Sequence, residues 1–315
     1  MKIMSHALNL PLLHSLLSIE SESGDCSRMA DFLTTYCQGQ GWLVASDDMG
    51  NLYVTKGESD TYPCAVAHID TVHPITGDGI TPVYIGDKVT GINPVTMEQT
   101  GIGGDDKCGI YAALHCLANL PACKAAFFVD EEIGCIGSGA ANMAFFKDCR
   151  FVLQADRRGN ADFVTDISGP LSSDRFQRDV KPLLTSHGFR FSHGAMSDVM
   201  ALRDNGCGIS CANISAGYYQ PHQACEYINL PDLLKTCGLM LEICQTLNRV
   251  YRFTPAKRPR PSRKRDFWPA SMWPSSDSWD WTPKAKPCEF CGQLLKNDDS
   301  IICAECETFE LSSRL

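Results

Sequence analysis

The sequence predicts an α/β fold: a three-layer α/β/α sandwich around a mixed, mostly parallel sheet, with a small zinc ribbon at the C-terminal end. Three observations carry this. Short continuous apolar runs at 64–67, 125–129, 151–155 and 209–214 have the length and composition of strands buried on both faces. They alternate with segments of helical periodicity, the order that places helices on both faces of a parallel sheet. The polar residues able to do chemistry come directly after these runs, at the carboxyl edge where open α/β sheets collect their sites.

Residues 10–18 and 25–41 have helical spacing; in the second, Met29, Phe32, Leu33 and Tyr36 share one face and Gly41 ends it. A strand at 42–46, the turn residues Asp47-Asp48-Met49-Gly50-Asn51 and a strand at 52–56 make a hairpin pattern. The buried run Cys64-Ala65-Val66-Ala67 leads into His68-Ile69-Asp70. A helix over 107–117 begins at the pair Asp105-Asp106, so its amino end faces whatever those carboxylates hold. Further helices are expected at 138–146, 197–204 and 231–248.

His68 and Asp70 stand two residues apart at a strand end, project to the same side, and read as half of a metal site. The other half comes from Gly103-Gly104-Asp105-Asp106-Lys107, Asp130-Glu131-Glu132, Gln154-Ala155-Asp156 and Gln220-Pro221-His222. Two histidines and three carboxylates are ligands that zinc accepts, and carboxylate in excess of imidazole suits a two-metal site. One carboxylate can bridge cations about 3.5 to 4 Å apart, and each cation then takes one imidazole and one further carboxylate. Singly, a His-x-Asp is more often a surface pair and a Glu-Glu a solvated helix start. Their joint order carries the reading.

On these motifs, together with Leu16-Leu17-Ser18-Ile19-Glu20-Ser21-Glu22-Ser23-Gly24 and Gly50-Asn51-Leu52-Tyr53-Val54, the chain from about 10 to 240 resembles the co-catalytic zinc exopeptidases. That clan includes peptidase T, the carboxypeptidase G type and the two-zinc aminopeptidases. The resemblance implies that Asp105 bridges two zinc ions, with cobalt or manganese as substitutes, His68 and Asp156 on one ion and Glu132 and His222 on the other. It makes Glu131 the general base and implies a cis peptide between Asp105 and Asp106. Asp70, one strand period from His68, is placed to accept the second imidazole N–H and fix the tautomer. Tyr218 or Tyr219 could offer a phenolic donor to the oxyanion, or pack beside the site. Peptidase T and the carboxypeptidase G type insert a lid or dimerisation domain between the last two ligands, but here only 65 residues separate Asp156 from His222. The lid is expected to be absent, and His187 and His193 in that interval read as loop histidines.

At 315 residues and 44% hydrophobic, the chain has material for one core of about 200 to 250 residues plus an appendage. The net charge of -9 is unevenly spread, about -11 over 1–250, +6 over 251–287 and -4 over the rest. An acidic catalytic part disfavours a nucleic-acid role for it. Polar Ser5, His6 and Asn9 break the apolar N-terminal stretch, so neither a signal peptide nor a membrane span is expected, and the chain reads as cytoplasmic. Its 17 cysteines then read mostly as packed thiols.

Domain organisation comes from composition: a catalytic domain at 1–250, a basic Pro/Trp-rich linker at 251–287, and a ribbon-like module at 288–315. The run Lys257-Arg258-Pro259-Arg260-Pro261-Ser262-Arg263-Lys264-Arg265 cannot continue a helix. Cys288-x2-Cys291 and Cys303-x2-Cys306, eleven residues apart, form two knuckles that close a tetrahedral structural zinc site; the alternative is a pair of disulfides. The substrate expected is a short peptide, with an acyl-amino-acid deacylase as the alternative. A third reading is a targeting protein whose linker and ribbon bind protein or nucleic acid.

Overall fold

Asn9 starts the first helix, α1 (Leu10–Leu17), by accepting the Leu12 N–H on its side-chain oxygen at 3.2 Å. In α2 (Ser27–Gly39), Met29, Leu33 and Cys37 form the buried stripe. A hairpin of β1 (Leu43–Ser46) and β2 (Leu52–Lys56) precedes β3 (Tyr62–His68), whose seven residues are all buried. Three strands additional to those expected come next: β4 (Thr81–Ile85), β5 (Lys88–Ile92) and the two-residue β6 (Gln99–Thr100). β4 and β5 pair across a Gly86-Asp87 turn, a hairpin signal that the sequence does carry.

Most of the metal-site motifs lie further along the chain. α3 (Gly104–Asn119) leads to β7 (Cys123–Phe128), and β8 (Cys149–Arg157) comes after a loop. The single helix expected at 138–146 is instead two short pieces, α4 (Ile136–Gly139) and a 3-10 turn over Met143–Phe146. Asn142 breaks it by accepting the Ala144 N–H on its side chain, a cap that starts a new turn. β9 (Asp162–Asp166), α5 (Asp174–Ser186) and β10 (Arg190–His193) precede α6 (Asp198–Asp204) and β11 (Cys211–Ser215). β12 (Tyr218–Tyr219), β13 (Tyr227–Asn229) and α7 (Leu230–Thr246) complete the order.

Eight strands form the main sheet in the order β1-β2-β7-β3-β8-β11-β9-β10. Its centre, β7-β3-β8-β11, is parallel throughout. Alternate residues of the central strands feed two separate cores. Cys64, Val66, Ala126, Phe128 and Val152 face one that includes Val199 and Leu202 of α6. Ala65, Ala67, Ala125, Phe127 and Leu153 face the other, which holds α1, α2, α3 and α7. Helices on both faces make the three-layer sandwich. A smaller sheet, β12-β13-β5-β4 with β6 on β5, stands apart from it. The interval between Asp156 and His222 is occupied by β9, α5, β10, α6, β11 and β12, and three of those strands belong to the main sheet.

This computed structural model describes residues 8–255. The linker beyond 255 and the ribbon cysteines Cys288, Cys291, Cys303 and Cys306 lie outside the described residues. Thirteen cysteines lie within them, all unbridged and twelve of them buried. Among the described residues no helix is long and apolar enough to cross a membrane.

Residues 251–255, where the linker was expected to begin, pack against the catalytic fold. Tyr251 is buried against Phe151 and Phe176 and donates its hydroxyl to Asp179 at 2.9 Å. Arg252 bridges to Ile209, and the Phe253 N–H reaches the Gly208 carbonyl. An aromatic side chain seated in the core overrides the composition shift. A chain ending at Val250 should therefore unfold in urea with about 3 kcal/mol less stability than one ending at Pro255, the usual cost of deleting a buried aromatic. Equal stabilities would contradict this placement.

Candidate metal centre

Because β3, β7 and β8 run parallel, their carboxyl ends meet at one edge of the sheet. His68 ends β3, Glu131 and Glu132 come just after β7, and Asp156 lies near the end of β8. Asp105 enters from the start of α3, and His222 from the loop between β12 and β13. All five expected ligands come together here. The peptide between Asp105 and Asp106 is cis, and neither residue has helical torsions. Asp130, Cys135, Gln220 and His222 have positive φ, so the two loops carrying Glu131, Glu132 and His222 hold several non-glycine residues in the left-handed region.

Asp105 occupies the middle. Its Oδ1 lies 3.2 Å from His68 Nε2 and its Oδ2 3.4 Å from His222 Nε2, so the two carboxylate oxygens face two different imidazoles. His68 Nε2 is also 3.6 Å from Asp156 Oδ1, and His222 Nε2 is 3.1 Å from Glu132 Oε2. Glu131 is buried, with Oε2 4.0 Å from His68 Nε2 and Oε1 accepting from the Cys135 thiol at 3.4 Å.

Two observations test whether a divalent cation fits. The ligand atoms of His68, Asp105 and Glu132 lie within 4.8 Å of one another, and Glu132 Oε1 is buried with no hydrogen-bond partner. A hard, orphaned carboxylate oxygen beside imidazole nitrogen is a donor set that zinc accepts. Asp106 also comes within 4.8 Å of His68 and Asp156, but its oxygens already accept the His68 N–H at 3.2 Å and the Gly109 N–H at 3.0 Å. These two bonds tie α3 to β3.

Asp70 is tied differently from the expectation. His68 Nδ1 lies 2.9 Å from the Asp70 backbone carbonyl and 3.4 Å from its carboxylate, so the carbonyl takes the N–H and leaves Nε2 facing the acids. The Asp70 carboxylate instead accepts the N–H groups of Glu131 at 3.0 Å and Glu132 at 3.2 Å, and the Ser23 hydroxyl at 2.7 Å. It orients the two glutamates through their backbone. The paired tyrosines diverge, as neighbours on a strand must. The Tyr218 hydroxyl donates to Asp156 Oδ1 at 3.3 Å, whereas that of Tyr219 is committed to Asp232 at 2.6 Å. His187 pairs with Glu242 and His193 with Asp166, and neither contacts the five expected ligands in those pairs.

Several supporting residues were invisible to motif reading. Asn51 accepts the Val129 N–H and donates to the Gly137 carbonyl, clasping both ends of the loop that carries Glu131 and Glu132. Gln154 donates to both Asp156 and the buried Asp198. Asn213 bonds the backbone of Asp156 on both its N–H and its carbonyl.

This crowding sets the electrostatics. Burial drives the Glu131 carboxyl up to about 7, aided by the charges of Asp198, Asp105 and Glu132. Burial likewise raises Asp156. For His68, burial alone would lower the pKa, but the adjacent carboxylates of Asp105, Asp156 and Asp70 outweigh it and hold the ring well above its usual range. Hydrogen bonds to Asp105 and Glu132 lift His222 to about 10.

No protein-family model and no curated protein sequence matches the chain. Solved structures do. The aminopeptidase PepT of Bacillus cereus aligns over 76% of this chain and 97% of its own, at 16% identity and a TM-score of 0.63. A tripeptidase from Staphylococcus aureus aligns over 76% and 97%, at 15% identity and a TM-score of 0.61. The TET1 peptidase of Pyrococcus horikoshii aligns over 75% and 98%, at 16% identity and a TM-score of 0.54. The described residues therefore share the fold of these peptidases, and the chemistry must be argued from the side chains.

Two outcomes are expected. With its pKa lifted to about 10, His222 is protonated at pH 7, whereas a metal binds the neutral ring, so zinc binding should release protons and weaken as pH falls. Calorimetry in buffers of different ionisation enthalpy measures this, and zero proton release would contradict it. Asp105→Ala should lose both metal ions and His222→Ala one, since only Asp105 faces both imidazoles. Equal, full occupancy in both variants by atomic absorption would remove Asp105 from the bridge.

Proposed function

We propose that the protein is a metal-dependent exopeptidase that hydrolyses amide bonds of short peptides. The observation that carries this is the position of Asp105, with one carboxylate oxygen toward each of two imidazoles and a buried glutamate beside them. His68 and Asp156 would hold one zinc ion, Glu132 and His222 a second, and Asp105 both. Bound there, the cations would supply Lewis acidity to the scissile carbonyl and lower the pKa of the attacking water.

Glu131 is the proton carrier. It can accept a proton from water as the oxygen attacks the carbonyl carbon, then release the same proton to the amine nitrogen as the C–N bond breaks. Asp70 aims it by holding the backbone N–H groups of both glutamates. The Tyr218 hydroxyl, which donates to Asp156, would turn to the tetrahedral oxyanion. The ribbon at 288–315 would bind a structural zinc through Cys288, Cys291, Cys303 and Cys306, separately from catalysis. With the basic linker it would engage a protein or nucleic-acid partner.

Peptide-library turnover by the zinc-loaded protein, followed by mass spectrometry, tests the reaction. Glu131→Gln should lower turnover by at least about 10²- to 10⁴-fold while leaving the zinc content unchanged. Loss of the metals together with activity would make Glu131 a ligand and overturn its role.

A further inference from the structure

Glu226 lies four residues after His222 in a largely exposed stretch, yet its side chain is fully buried. A buried carboxylate needs donors, and this one has three. Its Oε2 accepts the Gly103 N–H at 2.8 Å and lies 3.0 Å from His73 Nε2; its Oε1 accepts the Asp105 N–H at 3.0 Å. Three loops are thereby joined at one carboxylate. One carries Asp105, one carries His222, and one continues from His68 and Asp70 to His73.

The glycines of Gly101-Ile102-Gly103-Gly104-Asp105 make this contact sterically feasible. A Cβ on Gly101 would sit 2.0 Å from the His73 ring. On Gly104 it would meet the Tyr218 Cβ at 2.8 Å, Ile228 Cγ1 at 3.0 Å and Glu226 Oε1 at 3.3 Å. The glycine-rich approach to the aspartate pair is thus the space into which Glu226 and His73 fit, and in which the smaller sheet closes on the start of α3.

We propose that Glu226, braced by His73, is a positioning residue for the metal bridge. It fixes the Asp105 backbone so that the two carboxylate oxygens divide between His68 and His222, and it anchors the His222 loop to the same point. The inference rests on the two-metal reading of the site. It explains why a second acid with no place among the ligands lies buried within four residues of one of them. Loosening the clamp moves Asp105 and His222 relative to each other, so the ion held by His222 and Glu132 is the one that leaves first.

The test is zinc titration of the full-length protein against a chromophoric chelator, alongside peptide hydrolysis. Glu226→Gln, which keeps the side-chain shape but removes the charge and one acceptor, should weaken the second catalytic zinc about 10- to 100-fold. At limiting zinc kcat should fall in parallel, with KM changed less than about threefold, and excess zinc should restore part of kcat; a purely structural role would alter neither the binding of one ion alone nor its rescue. His73→Ala, which leaves both backbone contacts in place, should show the same signature more weakly, and Gly104→Ala should show it with the carboxylate intact. Wild-type protein with no pair of catalytic zinc sites would overturn the two-metal reading and the clamp with it. A wild-type pair, with unchanged second-site affinity and kcat in both Glu226→Gln and His73→Ala, would overturn the clamp alone.

Discussion

Negative charge confined at one edge of a sheet is the constraint on which this structure depends. Asp70, Asp105, Asp106, Glu131, Glu132, Asp156 and Asp198 crowd around His68 and His222, and most are withdrawn from water. Leaving a carboxylate uncompensated in such a place costs several kcal/mol. The chain answers in two ways. Asp70 and Asp106 collect backbone N–H groups, which turns the loops after β3 and β7 and the start of α3 into the lining of an anion site. Asp105, Glu132 and Asp156 pair instead with imidazoles, and Glu132 keeps one buried oxygen unsatisfied. That second group is the one suited to divalent cations.

The parallel centre of the sheet is what makes such crowding achievable. With β7, β3, β8 and β11 aligned, loops from distant parts of the chain emerge side by side, and two cores on opposite faces keep the strand ends fixed. His222 is brought in by a separate device, the small antiparallel sheet of β12, β13 and β5. The centre is therefore assembled at the junction of two sheets, and the relative placement of Asp105 and His222 depends on contacts between them.

The residues that meet at this edge were legible because strand ends are marked by the apolar runs before them, and residue type shows which side chains can bind metal or carry protons. His68, Asp105, Glu131, Glu132, Asp156 and His222 could all be read that way. The orienting amides could not: Asn51 and Asn213 act across 86 and 57 positions of sequence, and Gln154 reaches the buried Asp198 across 44. Asp70 was located but its carboxylate was assigned to the imidazole, because strand periodicity reports the side of the sheet and not which loop folds over it. In the fold, β4 and β5 carried a turn signal, whereas α5 shows Phe176, Val180 and Leu184 on one face but also an interior Pro182, and a proline inside a helix argues against the helix that forms. Tyr251 was read as linker from its neighbours' composition, although a buried aromatic holds it in the core.

The central claim is that one carboxylate divides two imidazole-bearing sites between them. Anomalous scattering at the zinc edge from crystals of the zinc-loaded protein tests it most directly. The account predicts two peaks about 3.5 to 4 Å apart, one on each side of Asp105, with His68 and Asp156 at the first and Glu132 and His222 at the second. A single peak, or a pair that leaves Asp105 bound to only one ion, would contradict it.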